Sequence, residues 1–209
     1  MKYRLLLFDF DFTLVDASEC LFGALRKGLA SIGAENPLDS QLRPLIGIPL
    51  VKQYEILTGR HDAEEFARFE RIYARERSAL ERNGTHLLPG VRSALEGLRA
   101  AGYQLGVVST GASGRIRRTL TRFQLMSYFT ETGIMGSAQN KLEALSKATT
   151  QFRMKPRETV YVGDRPDDAD AAENAGVNFI GVTTGAFKGS DFPPGSKVVR
   201  SLADLIDCL

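Results

Sequence analysis

Short apolar runs alternate with amphipathic stretches along most of the chain. Residues 3–8, 104–108, 159–162 and 177–182 are runs bounded by charged or turn-forming residues, and 197–199 is a weaker one. Runs this short and largely apolar, each bounded by turn residues and followed by a helical pattern, predict strands covered on both faces, as in a parallel sheet. Stretches with helical spacing lie between them, at 91–101, 114–123, 142–151 and 167–174. The alternation predicts an α/β fold with a doubly wound (Rossmann-like) parallel sheet and helices on both faces. From about Ala17 to Leu87 the rhythm fails. That stretch has no convincing strand and predicts several helices, punctuated by Gly33, Pro37, Pro44, Gly47, Pro49 and Gly59. Residues 63–82 form its longest predicted helix, with apolar positions at Phe66, Phe69, Ile72 and Tyr73 and a solvated face of mixed charge. The expected organisation is a core of residues 1–16 and 88–209, with residues 17–87 inserted as a helical cap above the sheet.

Composition narrows the class of partner. A chain of 209 residues can hold one core and a small accessory domain. Its net charge of +2 is too small to imply a nucleic-acid or membrane surface, although a few local charges suffice for a small anion. Cys20 and Cys208 are too few for a disulfide framework and lack metal-ligand spacing, which suits a reducing compartment. The opening apolar run is cut short by Asp9 and Asp11, and no run reaches the ~20 residues of a membrane span. The expectation is a cytoplasmic protein, monomer or homodimer, with neither nucleic acid nor membrane as partner.

In an open α/β sheet, ligands bind beyond the carboxyl ends of the strands. The first predicted strand runs into Asp9-Phe10-Asp11-Phe12-Thr13-Leu14, the second into Ser109-Thr110-Gly111, and the third into Gly163-Asp164-Arg165-Pro166-Asp167-Asp168. Asp9, Asp11, Asp164 and Asp168 would therefore meet at one crevice. Clustered carboxylates repel one another, and a hard divalent cation such as Mg²⁺ relieves that repulsion.

These motifs, in this order and spacing, resemble those of the haloacid dehalogenase-like superfamily over nearly the whole chain. The helical insert after the first motif is similar to the cap of its phosphoglycolate phosphatase-like members, and Leu88-Pro89-Gly90-Val91 leading into a helix is also typical. The resemblance implies a Mg²⁺-dependent phosphatase acting on a small phosphorylated metabolite. Asp9 would be the nucleophile and form an aspartyl-phosphate. Asp11 would be the general acid and base, its backbone carbonyl also reaching the metal. Asp164 would bind the metal directly, and Asp168 directly or in the outer shell. Ser109, with Thr110 as its alternative, and Lys141 would hold the phosphoryl oxygens; Lys147 and Lys155 are fallbacks for Lys141.

Phe12 departs from the family, where glycine is commoner, and would narrow the mouth of the site or pack beneath the cap. Arg165 follows the metal-binding aspartate and would reach a substrate anion or pair with Asp167. In the cap, Arg43 and Lys52 flank the turn 44–49 and are candidates for substrate contact. A phosphomutase of the β-phosphoglucomutase type would use the same core residues, and a phosphate-ligand binding protein without turnover is the non-enzymatic alternative.

Overall fold

The computed structural model describes residues 2–138 and 140–209. In chain order, β1 (Leu5–Phe8) and β2 (Val15–Asp16) precede α1 (Ser18–Ser31), α2 (Asp39–Leu42), α3 (Leu50–Thr58) and α4 (Ala63–Leu80). Next come β3 (His86–Leu87), α5 (Val91–Ala100), β4 (Gln104–Val108), α6 (Ser113–Arg122) and β5 (Ile134–Met135). The chain continues through α7 (Lys141–Gln151), β6 (Thr159–Gly163), α8 (Pro166–Asn174), β7 (Asn178–Val182) and β8 (Lys197–Val199). It divides into two units: Met1–Val15 with Leu87–Leu209, and Asp16–His86.

The first unit is built on a six-stranded parallel sheet in the order β5-β4-β1-β6-β7-β8. The expected doubly wound α/β class is what the structure has. β1 is buried at every position, which is why Leu5-Leu6-Leu7-Phe8 shows no polar alternation. Leu5 and Leu7 share a cluster with Val108, Tyr161 and Val177, joined by Leu145 of α7 and Ala172 of α8. In α5 the buried positions are Val91, Leu95 and Leu98, one stripe at helical spacing with polar residues around it. Of the six strands of the sheet, the one missing from the sequence reading is β5, an edge strand of two residues and too short to stand out as a run; the two-residue strands β2 and β3 went unread for the same reason.

The second unit is helical. α1 and α4 pack along each other, and an aromatic cluster fixes α3 against α4: the Tyr54 ring lies 5.4 Å from Phe66 and 5.5 Å from Phe69. The Tyr54 hydroxyl donates to Glu65 at 2.6 Å, and burial followed by that carboxylate pushes its pKa up to about 12. Asp62 caps α4, its carboxylate accepting from the Glu65 amide at 2.8 Å, and Gly59 ends α3 in the left-handed region. Among the described residues, no helix is long and apolar enough to cross a membrane.

Candidate active site

Strand β1 lies between β4 and β6, and the chain's path through the sheet reverses direction around it. Phe8 is in register with Val107 on one side and Val162 on the other. The residues that follow therefore leave the sheet at nearly one level: Asp9 from β1, Ser109 from β4 and Asp164 from β6. Backbone bonds extend the ladder to that level, from Asp9 N to the Val162 carbonyl at 2.9 Å and from Ser109 N to the Met135 carbonyl at 2.9 Å.

Three carboxylates converge there. Asp9, Asp164 and Asp168 are all buried, and each offers an oxygen within 4.8 Å of the others. Asp168 comes from the first turn of α8 and accepts from the Arg165 amide at 3.3 Å. Lys141 opens α7, whose N-terminus is capped by Asn140 accepting from the Glu143 amide at 3.3 Å. Its Nζ stands 3.4 Å from Asp9 Oδ2, donates a hydrogen bond to Asp168, and lies 6.0 Å from the centre of the Tyr161 ring. Tyr161 is itself fixed by a hydrogen bond from its hydroxyl to the Val108 carbonyl, 3.0 Å. The Thr13 hydroxyl donates to Asp164 Oδ1 at 3.3 Å. Gly185 lies on the other side of Asp164, where a Cβ would sit 2.9 Å from the carboxyl carbon.

Burial by itself would lower the Lys141 ammonium, but the Asp168 and Asp9 carboxylates more than reverse this and raise it. Burial lifts Asp164 well above the usual carboxylate range, and the charges of Asp9 and Asp168 add to the lift. Burial likewise raises Asp168, to about 6, against the opposing pull of Lys141. In both groups burial is the leading cause, and the nearby charge of Asp9 adds to it. Asp9 Oδ1 is buried and has no hydrogen-bond partner among the described residues. Hard oxygens so grouped, one of them unpartnered, fit a small divalent cation, which would also reverse the shifts.

The other candidate residues are placed differently. Asp11 is held by Arg115, with Nη1 3.0 Å from Oδ1 and Nη2 bonded to Oδ2. Ser109 is buried and accepts from the Gly111 amide at 3.2 Å, whereas Thr110 is exposed. Phe12 is buried and adopts a φ of 62°, the left-handed region where glycine is at ease; its carbonyl accepts from the Thr184 hydroxyl. Arg165 pairs with Asp167 at 2.7 Å and lies over the Phe187 ring at 5.2 Å. Arg43 and Lys52 belong to the helical unit, where Arg43 lies over Phe22 at 5.7 Å and Lys52 pairs with Glu55 at 2.7 Å.

Sequence reasoning passed over Thr13, Tyr161 and Arg115. Thr13 and Tyr161 carried no signal beyond their place in the motif and the strand. Arg115 did carry one. It falls in the same helical stripe as Ile116, Thr119 and Leu120, all buried, so an arginine there had to have a buried acid to meet.

Comparison with known proteins agrees with this architecture. The chain is 29% identical over 207 residues to the tyrosine-protein kinase PtkA of Mycobacterium tuberculosis, covering 98% of this chain and 70% of that protein. It is 29% identical over 201 residues to the phosphoglycolate phosphatase of Nitrosospira multiformis, covering 91% and 88%. Among solved structures, a haloacid dehalogenase-like hydrolase from Bacteroides fragilis superposes with a TM-score of 0.91 at 31% identity, over 98% of this chain and all of that one. The sequence pattern of the haloacid dehalogenase-like hydrolases matches residues 6–182, from within β1 to the end of β7. That span holds every strand end just described, and the chain belongs to this hydrolase family.

Proposed function

We propose that this hydrolase is a phosphatase that cleaves a small phosphorylated metabolite through a phosphorylated Asp9. The observation that carries the reading is Asp9 itself: a buried carboxylate at a strand end, with Lys141 on one oxygen and no hydrogen-bond partner among the described residues on the other. In the first step a carboxylate oxygen of Asp9 bonds to phosphorus. The ester P–O bond breaks, its electron pair stays on the leaving oxygen, and Asp11 gives that oxygen a proton. In the second step water attacks the phosphorus and Asp11 takes a proton from it; the bond from phosphorus to the Asp9 oxygen breaks, its electron pair stays on that oxygen, and inorganic phosphate leaves the restored carboxylate.

The Ser109 hydroxyl, with Thr110 beside it, and the Lys141 ammonium would hold the phosphoryl oxygens that are not transferred. Asp9, Asp164, Asp168 and the Asp11 carbonyl would hold Mg²⁺, which when bound supplies the positive charge that lets an anionic carboxylate approach an anionic phosphate.

The likeness to a phosphoglycolate phosphatase puts 2-phosphoglycolate first in a substrate panel that also includes sugar phosphates and nucleoside monophosphates. Phosphate release is measured with Mg²⁺ and with chelator, for the wild type and Asp9→Asn. Metal-dependent release that drops at least ~10³-fold in the variant is the expected result, because an amide cannot form the covalent intermediate. Undiminished release by Asp9→Asn overturns the assignment. The likeness to PtkA favours a second reading, in which the phosphoryl group passes from ATP to a tyrosine hydroxyl instead of to water. Labelled ATP with a tyrosine-containing peptide tests it, and an unlabelled peptide beside active phosphate release excludes it.

A further inference from the structure

Asp11 does not stand alone at the end of β1. Arg115 reaches it from the first turn of α6 and binds both carboxylate oxygens through its two terminal nitrogens, a fork-to-fork pair. The pair is largely shielded from solvent: the side chain of Arg115 is 5% exposed and that of Asp11 13%. Two further features hold the guanidinium in place. It lies over the Phe10 ring at 5.2 Å, and it occupies the space a side chain would take at Gly111, where a Cβ would sit 2.6 Å from Nη2 and 3.6 Å from Asp11 Oδ2. The first turn of a helix disfavours a cation, since the unpaired amides there already carry positive charge. An arginine buried at that end needs a carboxylate opposite it, and it meets Asp11.

We infer that Arg115 is a positioning residue for Asp11, fixing the carboxylate in one orientation for its two proton transfers. The inference rests on the reading of Asp11 as general acid and base. In the first step the proton leaves Asp11 for the ester oxygen and the carboxylate is left charged. Arg115 is the cation that meets that charge and keeps the group in place until it takes a proton from water. A lysine would keep the charge and lose the fork, so geometry and charge separate in one substitution.

The test is a series of monophosphates with leaving groups from 4-nitrophenol, which departs without a proton, through phenol to a simple alcohol. The value read is kcat/KM, because the leaving group departs in the first step and slow hydrolysis of the intermediate does not enter. Asp11→Asn is expected to make kcat/KM fall steeply as the leaving group becomes more basic. Arg115→Lys is expected to do the same less severely, losing about 10- to 100-fold on the alkyl ester and no more than about threefold on the nitrophenyl ester. The double variant should be no worse on the alkyl ester than Asp11→Asn alone, since both changes act through one group.

A purely structural role for Arg115 predicts instead an equal loss on every ester, and that result overturns the inference. Steepening in Asp11→Asn without steepening in Arg115→Lys overturns it as well, while leaving Asp11 as the acid. No steepening in either variant removes the acid role of Asp11, and the inference falls with it. Arg115→Gln, read by the same series and by melting temperature, separates a misfolded protein from a misplaced carboxylate.

Discussion

The two units of this protein use charge in opposite ways. In the helical unit the ion pairs lie at the surface: Arg26 with Asp39, Lys52 with Glu55, Arg60 with Glu65 and Arg75 with Glu76, all with substantial exposure on at least one partner. Such pairs contribute little, because water solvates each partner nearly as well as the other partner does. In the sheet unit, Asp9, Asp164, Asp168, Lys141, Asp11 and Arg115 are withdrawn from water at the ends of neighbouring strands or in helix first turns. Burying charge there is costly, and clustering carboxylates costs more. The helical unit's charges keep a helix surface wet; the buried set in the sheet unit is the costly one, and it is the set proposed above to carry the reaction.

That contrast can be broken at its strongest point first. Lys141→Ala removes the cation that pairs with Asp9 and Asp168 and should cost about 3–5 kcal/mol of stability in metal-free protein, measured by urea unfolding. A loss below 1 kcal/mol, roughly the level of an exposed pair, would mean the cluster is solvated after all. Next in size is the metal response. Millimolar Mg²⁺ should raise the melting temperature of the wild type by several degrees, on the order of 1–3 kcal/mol of binding linkage, and the rise should vanish in Asp164→Asn. An equal rise in that variant would locate metal binding elsewhere. The smallest effect is expected in the helical unit, where Arg75→Ala should change stability by no more than about 0.5 kcal/mol. A larger loss would show that its surface pairs carry weight that exposure denies them.

The sequence made some of this legible and hid the rest for physical reasons. Strands β1, β4, β6 and β7 could be read because a strand covered on both faces has no polar position to interrupt it, and their helices because amphipathic spacing repeats. The order of strands across the sheet was not readable. Nothing in Ile134 and Met135 announces that they pair with β4 at the edge, since a two-residue strand has no pattern. At the site, Asp9, Asp164 and Ser109 could be picked out because each ends an apolar run, so position along a strand stood in for position in space. Arg115 lies on a helix and meets Asp11 only once α6 is folded back over the strand ends. Spacing along the chain gives no hint of a contact across 104 residues.

Gly185 carries a different kind of consequence. With the Asp164 carboxyl group filling the place where its side chain would go, this position takes no part in any bond-making step and yet leaves no room for a methyl group. A saturation scan scored on growth or turnover should mark it as intolerant as a catalytic residue, and a scan scored on abundance should show a smaller loss, since any side chain must displace a buried carboxyl group. Shape, not reactivity, would be what such a screen detects there, and a map of hot positions drawn from function alone would mistake the wall for the tool.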